Sequence, residues 1–203
     1  VALVCPEVAG KLTGMAFRQS DSPEEEVARW LADGKIVGWF QGRSEFGPRA
    51  LGNRSILADP RSVAMKDVVN ARVKFREEFR PFAPATLEEE ASTLFDMSKP
   101  SPYMTKAFPV LEEKKATLGA VTHLNGTARV QTVSAESNPK FHAVIKAFAQ
   151  ETGVPSVMNT SFNIKGQPIV ETPLEAISTF ASTGLDALVM GNFIVEKPRA
   201  PRA

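Results

Sequence analysis

The pattern of apolar and polar positions along the chain predicts helices interleaved with buried strands. A helix is predicted to begin at Ser22 and to end at Gly34, with Glu25 placed to close a capping box with Ser22. The apolar stripe of this helix consists of Val27, Trp30 and Leu31. The apolar run over residues 35–40 that follows has the length and composition of a buried strand.

Four further segments show helical patterning, over residues 62–73, 87–95, 138–152 and 172–184. The first is predicted to turn Val63, Val69 and Val73 inward. The second is acidic at its start, as the helix dipole prefers. The third begins after Asn138 and stops at Gly153, which are typical capping residues. Its predicted core residues are Phe141, Val144, Ile145 and Phe148.

Residues 120–133 carry the strongest hairpin signal in the chain. Asn125-Gly126 is the pair that a two-residue type I′ turn requires, and alternating strands over 120–124 and 127–133 flank it. Arg129 and Gln131 share one face of the second strand. That face is polar enough to line a ligand cleft, and it would equally suit a solvated sheet surface.

Two more apolar segments complete the pattern. Residues 154–158 are predicted to form a strand, and residues 185–195 one or two strands. Because helices and strands alternate while the hairpin is antiparallel, we expect an α/β (α+β) fold with a mixed sheet.

Composition places the chain among globular proteins with a core of their own. It has 203 residues, of which 43% are hydrophobic and 23% charged, with a net charge of +1. Its one cysteine, Cys5, excludes an internal disulfide framework and fits a reducing, cytoplasmic setting. Two histidines without a cysteine cluster argue against a zinc site.

The termini suggest a piece of a longer chain. The apolar start from Val1 lacks a methionine, a basic lead and a cleavage site, so we expect no signal peptide. No apolar run approaches the roughly 18 residues of a membrane span. We therefore predict a linker over residues 1–21, a folded domain over 22–197 and a frayed tail over 198–203.

Between Gly42 and Arg80 the chain carries nine basic residues among Gly, Pro, Ala, Leu, Ile and Phe. Arginine offers a planar fork of donors to phosphate or carboxylate, so this setting favours a rigid site for a polyanion. The cluster also begins at the end of the predicted strand 35–40, where open α/β sheets bind ligands. The alternative is a set of structural arginines paired with nearby acids, namely Glu45, Asp59, Asp67 and Glu77.

A second polar segment, Asn159-Thr160-Ser161-Phe162-Asn163, follows the predicted strand 154–158. Its short side chains and exposed N–H groups could bind phosphate or adenine. The alternative is a turn stabilised by its own Asn and Ser side chains. Beside the basic cluster, Lys74 and Arg129, a convergent nucleotide site becomes the better interpretation.

At these motifs the chain resembles the carboxyl-terminal domain of the nodulation-protein and antibiotic O-carbamoyltransferases. The resemblance covers residues 22–197 in the family's order. Its motifs are Gly42-Arg43-Ser44-Glu45-Phe46-Gly47-Pro48-Arg49-Ala50-Leu51-Gly52-Asn53-Arg54-Ser55-Ile56, Phe79-Arg80-Pro81-Phe82-Ala83-Pro84, Ser101-Pro102-Tyr103-Met104, His123-Leu124-Asn125-Gly126-Thr127-Ala128-Arg129-Val130-Gln131 and Asn159-Thr160-Ser161-Phe162-Asn163. One departure is Asn125, where the family often carries Asp.

The resemblance implies a YrdC-like fold, similar to the threonylcarbamoyladenylate synthases. Such a domain has a twisted mixed β-sheet, flanking helices and a concave ligand-binding face. The implied activity is activation of carbamoyl phosphate with ATP, accompanied by Mg²⁺, to carbamoyladenylate. An ASKHA-type amino-terminal domain of the same chain would hold the metal and transfer the carbamoyl group to a hydroxyl, so no metal is expected on side chains of this domain.

The resemblance also implies site residues. Those placed at the reacting groups are Lys74 and Arg80. Those expected to bind nucleotide and phosphate are Arg49, Arg129, Asn159 and Ser161, together with Arg43, Arg54 and Asn163 from the same segments. No side chain has the setting of a covalent nucleophile, so catalysis would rest on positioning and electrostatics.

Two other classes of function fit parts of the pattern. One is a module that binds a nucleotide or RNA without turnover, and the other is a structural lid that has lost its chemistry. The near-neutral charge and the lack of aromatic residues interleaved with the bases argue against nucleic acid. Retention of Lys74, Arg80 and Ser161 argues mildly against a lid.

Overall fold

The computed structural model describes residues 15–75, 77 and 80–197. The tail predicted for residues 198–203, and residues 1–14 of the predicted linker, lie outside them. In chain order the strands of this described part are β1 (Ala16–Gln19), β2 (Val37–Phe40), β3 (Arg54–Ala58), β4 (Ala83–Leu87), β5 (Phe108–Pro109), β6 (Thr127–Ala128), β7 (Gln131–Val133), β8 (Ser156–Ser161), β9 (Ala187–Met190) and β10 (Phe193–Glu196).

The described helices are α1 (Pro23–Ala32), α2 (Val63–Val69), α3 (Pro139–Thr152) and α4 (Pro173–Ser182). A π-helical turn, Asn70–Lys74, continues α2, and 3₁₀ turns span Glu88–Thr93 and Glu112–Lys114. Helices α1 and α3 pack against each other. Large side chains buried between these elements include Trp39, Phe141, Phe148, Phe162 and Phe180.

Eight strands form one mixed sheet in the order β1-β10-β9-β2-β3-β8-β4-β7. The β2–β9 and β4–β7 pairs are parallel and the other neighbours are antiparallel. The predicted mixed α/β fold with flanking helices is therefore confirmed. Strand β8 lies between β3 and β4, which places Asn159 and Ser161 on an interior strand of the sheet.

The prediction for α3 holds at both ends, and the helix predicted over residues 172–184 is α4, which ends at Ser182. The side chain of Asn138 accepts a hydrogen bond from the N–H of Phe141 at 3.1 Å, and Gly153 ends α3 with φ of 75°. Thr172 and Glu175 form a capping box at the start of α4. These signals are local, so the chain around them decides the structure without help from distant contacts.

The capping box predicted for Ser22 and Glu25 is wrong. The Ser22 side chain makes no capping hydrogen bond. The main-chain N–H of Ser22 donates instead to the Oγ atom of Ser20 at 3.2 Å. Glu26, one residue further on, accepts from Ser20 Oγ at 2.6 Å and pairs with Arg18. Ser20, the residue after β1, thus takes the place of Glu25 as the acceptor for the Ser22 N–H.

The linker prediction is wrong for Ala16–Gln19, which form edge strand β1 rather than an irregular segment. The inward face of α2 is also corrected at one position, because Val63 is 64% exposed. Met65, Val69 and Val73 are the buried residues, and their spacing of four places them on one stripe that misses Val63.

The predicted helix over residues 87–95 is only a 3₁₀ turn, Glu88–Thr93. Leu87 belongs to strand β4, where it pairs with Val133 of β7. Pairing in the sheet therefore removes the first turn that an α-helix would need.

The hairpin over residues 120–133 is wrong as well. Residues 120–124 form no strand, and β6 pairs with β5, while Gln131–Val133 join the main sheet beside β4. The observed turn is shifted by one residue: Gly126 N–H donates to His123 O at 2.9 Å, so Leu124 and Asn125 are its central residues, while φ is positive, at 76°, at Gly126. A type I′ turn needs positive φ at both central residues, so Asn125 and Gly126 do not form one.

Candidate active site

Two neighbouring pockets open beside the carboxyl-terminal end of β8. The first, termed the arginine pocket, has a volume of about 60 Å³ and is lined by Arg49, Arg129, Asn159 and Ser161 together with Pro48, Ala50, Pro81, Phe82, Ala83, Met104 and Thr160. The second, termed the lysine pocket, has a volume of about 280 Å³ and is lined by Lys74, Glu77, Arg80, Ser161, Asn163, Ile164, Lys165 and Gly166. Ser161 lines both.

Alternation along β8 explains why two of these residues meet. Asn159 and Ser161 are two positions apart on one strand, so their side chains leave the same face of the sheet. Asn159 is 1% exposed and pairs across the sheet with Leu57 and Ala83. The central position of β8 thus fixes both side chains on a rigid support.

The arginine pocket brings two cations together. Burial lowers the pKa of Arg129, and the nearby charge of Arg49 lowers it further. An arginine stays protonated at neutral pH despite such a shift. The Nε atom of Arg129 is buried with no hydrogen-bond partner among the described residues. A ligand with a hydrogen-bond acceptor would supply the partner that Arg129 Nε lacks, and negative charge on that ligand would also relieve the repulsion.

The lysine pocket is organised around Lys74, which is 4% exposed. Its Nζ atom donates to the main-chain oxygen of Ser161 at 2.7 Å and to the main-chain oxygen of Asn163 at 3.0 Å. It also lies 2.7 Å from Asn163 Oδ1 and 3.3 Å from Ser161 Oγ. If Lys74 Nζ donated to a substrate oxygen, it would therefore have to give up one of these hydrogen bonds.

Arg80 stands at the opposite side of the lysine pocket and is largely exposed. Its Nε atom lies 3.1 Å from Glu77 Oε2, and Lys165 lies 3.7 Å from the other Glu77 oxygen. The pKa of Glu77 is lowered, first by a hydrogen bond from its own N–H and then by the charges of Arg80 and Lys165. Both cations remain within reach of a ligand in the pocket.

Arg54 shapes the loop of residues 41–53 rather than facing the pockets. It is 4% exposed, its carbon Cζ lies 3.6 Å from the centre of the Phe40 ring, and burial lowers its pKa. Its guanidinium donates to the main-chain oxygens of Gln41 (2.7 Å), Asn53 (2.9 Å), Gly42 (3.1 Å) and Glu171 (3.4 Å). Arg43, the other arginine predicted on this loop, is exposed, and its main-chain oxygen accepts from Asn53.

Other arginines of the basic cluster have acidic partners, as the structural alternative predicted. Arg61 lies 2.7 Å from Asp59, one of the expected acids. Arg72 lies 2.7 Å from Asp186, an acid that is distant in the sequence. The cluster is therefore divided: Arg61 and Arg72 pair with acids, whereas Arg49 lines the arginine pocket.

Residues 28–197 match the sequence model of a family described as "Carbamoyltransferase C-terminus". The chain belongs to this family. Nodulation protein NolNO of Sinorhizobium fredii is 52% identical over 187 residues, which cover 91% of this chain and 28% of that protein. A 3'-hydroxymethylcephem-O-carbamoyltransferase of Amycolatopsis lactamdurans is 39% identical over 168 residues, which cover 83% of this chain and 32% of that protein. The chain thus spans about a third of the length of these curated relatives.

Solved structures agree with the YrdC-like fold expected for this carbamoyltransferase domain. Sua5 of P. abyssi, solved with L-threonine, superposes with a TM-score of 0.60 at 16% identity. The match covers 89% of this chain and 49% of the Sua5 chain. Full-length HypF, solved in a phosphate- and nucleotide-bound form, superposes with a TM-score of 0.56 at 16% identity. The match covers 87% of this chain and 22% of the HypF chain. At such low identity the likeness shows the fold alone.

One residue of the carbamoyltransferase motif around 123–131 contacts a residue that lines the arginine pocket and was not among the predicted site residues. Gln131 is 3% exposed and binds Asn159, and the alternation of Arg129 with Gln131 was the signal that could have identified it. Burial lowers the pKa of His123, and the nearby charges of Arg129 and Lys66 lower it further.

The hydrogen bonds of His123 define its tautomer. Thr127 Oγ1 donates to Asn125 Oδ1 at 2.8 Å, so that hydroxyl must accept from His123 Nδ1, which lies 3.1 Å away. Nε2 is then the unprotonated nitrogen of a neutral ring.

In residues 15–75, 77 and 80–197 no group of three or more His, Cys, Asp or Glu side chains is arranged to hold a metal ion. In the same part of the chain, none of the helices has both the length and the apolar character needed to cross a membrane.

Proposed function

We propose that this domain uses ATP and carbamoyl phosphate to make carbamoyladenylate. The observation that carries the proposal is the position of Ser161, which lines both pockets. Arg49 and Arg129 stand on one side of it, and Lys74 and Arg80 on the other. Two adjoining cationic pockets match a reaction that brings together a triphosphate and a second phosphorylated substrate. Membership of the carbamoyltransferase C-terminal family supports the carbamoyl chemistry.

The reaction balances in two steps. Water first cleaves carbamoyl phosphate to carbamate and phosphate. An oxygen of carbamate then attacks the α-phosphorus of ATP, and pyrophosphate leaves with the electrons of the broken phosphorus–oxygen bond. Negative charge grows on the phosphoryl oxygens during this displacement, where fixed cations stabilise it most.

The described side chains suggest a division of roles. Lys74, a point charge at the boundary of the pockets, would stabilise the reacting phosphoryl or carbamoyl oxygens, and Arg80 would assist from across the lysine pocket. Arg49 and Arg129 would grip an anionic group through paired N–H donors. Ser161 and Asn163 would position the nucleotide, with Mg²⁺ entering on the phosphates of ATP.

The complete transfer reaction is proposed for a longer protein. The chain spans about a third of the length of its curated relatives, which leaves room for another domain in a parent chain. An ASKHA-type domain in that position would receive the carbamoyladenylate and pass the carbamoyl group to a hydroxyl.

Calorimetry with a non-hydrolysable ATP analogue and with carbamoyl phosphate tests binding, and release of pyrophosphate tests turnover. We expect both ligands to bind and pyrophosphate to appear only when carbamoyl phosphate is present. A folded chain that binds neither ligand at millimolar concentration would overturn the proposal. Tight RNA binding that weakens steeply with salt, without any pyrophosphate release, would favour the module without turnover.

A further inference from the structure

A chain of hydrogen bonds fixes the orientation of the Asn159 amide. Gln131 Nε2 donates to the main-chain oxygen of Leu51 at 2.8 Å, so Gln131 Oε1 is the atom that faces Asn159. Asn159 Nδ2 donates to that Oε1 at 2.8 Å and to the main-chain oxygen of Ala50 at 3.1 Å. Turning the Asn159 amide over would set its oxygen against two other oxygens, so the observed orientation is the only satisfied one.

This orientation leaves Asn159 Oδ1 without a partner. The residue is 1% exposed, and Oδ1 is buried with no hydrogen-bond donor among the described residues. Buried acceptors are almost always paired, and an unpaired one at a ligand pocket indicates a group that the ligand supplies. Arg129 Nε, in the wall of the same pocket, is the complementary case of a buried donor without an acceptor.

The size of the arginine pocket restricts what can supply both partners. Its volume of about 60 Å³ is much smaller than the 280 Å³ of the lysine pocket, so it suits a small end of a substrate. A phosphate or carboxylate oxygen would satisfy Arg129 but would repel Asn159 Oδ1, because ionised oxygens only accept. A carbamoyl group is small and planar, with a carbonyl oxygen that accepts and an NH₂ that donates.

We infer that the arginine pocket takes the carbamoyl end of the substrate and that Asn159 Oδ1 accepts a hydrogen bond from its NH₂ group. Asn159 is then the residue that selects carbamoyl phosphate over other acyl phosphates. Gln131 is a positioning residue, since it acts only by holding the Asn159 amide. The inference rests on the proposed function, because it takes carbamoyl phosphate as the substrate.

Acetyl phosphate is the matched probe, since a methyl group replaces NH₂ and nothing else changes. Calorimetry should show that the unaltered chain binds carbamoyl phosphate at least about tenfold more tightly than acetyl phosphate. Equal affinity for the two would overturn the inference while leaving the proposed function standing. Binding of neither would instead remove the proposed function on which it rests. This comparison needs no variant to fold.

Two variants then assign the preference to Asn159 and Gln131. Asn159→Ala should lose the roughly tenfold preference, so that carbamoyl phosphate and acetyl phosphate bind with equal affinity. Gln131→Leu should lose the preference in part, because the Asn159 amide then loses the acceptor that holds its orientation. A folded Asn159→Ala chain that retains the preference would contradict the assignment, with circular dichroism reporting the folding.

Discussion

Lys74 donates to both oxygens of Asn163, at 2.7 Å from Oδ1 and 3.0 Å from the main-chain oxygen. The two residues are 89 positions apart in the sequence. The contact joins the end of the π-helical turn after α2 to the segment that follows β8, and it holds a buried ammonium group at the boundary of the two pockets. A cation fixed in this way needs little reorganisation when charge develops on a substrate.

Substitution of Lys74 should therefore impair turnover more than nucleotide affinity. Lys74→Met is expected to slow carbamoyl phosphate-dependent pyrophosphate release by about 10²–10³-fold, the scale for loss of one preorganised donor. It should also cost about 1–3 kcal/mol of stability, because buried oxygens of Ser161 and Asn163 lose their donor. Kinetics and thermal melting measured together separate the two effects. An unchanged rate with a lower melting temperature would mean that Lys74 is only structural.

Removal of the Arg49 charge should weaken anion binding in the arginine pocket. Arg49→Gln is expected to lower the affinity for carbamoyl phosphate by about tenfold or more, the range for one charge-assisted hydrogen bond. Arg29→Gln, the same change on α1 outside both pockets, is the matched control and should bind normally. Calorimetry at two salt concentrations measures the affinity of both variants. Equal losses of affinity in Arg49→Gln and Arg29→Gln would point to a general effect of charge.

Gly52 is predicted to tolerate no side chain. Its φ is 113°, and a Cβ atom there would lie 2.2 Å from Cδ1 of Phe141, a core residue of α3. Gly52→Ala should destabilise the domain by about 2 kcal/mol or more, since steric overlap adds to backbone strain. Gly153→Ala is the control for strain alone, because φ is 75° and nothing lies within 4 Å of its Cβ position. Urea unfolding should show a clearly smaller loss for Gly153→Ala.

The attachment of β1 to α1 should depend on pH through Glu26. Its hydrogen bond with Arg18 is the main factor that lowers the pKa of Glu26 to about 2, despite partial burial. A lowered folded-state pKa stabilises the protein above the unfolded value near 4.5, and this contribution is lost as the pH falls towards 2. We expect Glu26→Gln to cost about 1–2 kcal/mol at pH 7 and nothing near pH 2, with solvent screening at Arg18 limiting the effect.

Urea unfolding at several pH values measures this dependence. Glu25→Gln is the control, because Glu25 is exposed and lies 4.0 Å from Arg29. A Glu26→Gln variant as stable as the unaltered chain across the whole range would contradict the prediction.

Local sequence signals predicted the elements that need no distant partner. Asn138 and Gly153 set the ends of α3, and Thr172 with Glu175 sets the start of α4, because capping groups act within one turn of the backbone. The failed capping box at Ser22 marks the limit of such signals. There, Ser20 accepts the Ser22 N–H, and Ser20 and Arg18 both bind Glu26 rather than Glu25. The position of Arg18 depends on the pairing of β1 with β10.

The sequence by itself determined the types of most elements, the arginine-rich loop after β2 and the residue types of an anion site, because periodicity and composition are properties of neighbouring residues. Only the tertiary structure decided that β6 pairs with β5, that Arg54 holds the loop, and that Gln131 orients Asn159. Each of these depends on contacts between segments far apart in the chain. Patterning states which face of a segment is buried, but not which other segment covers it.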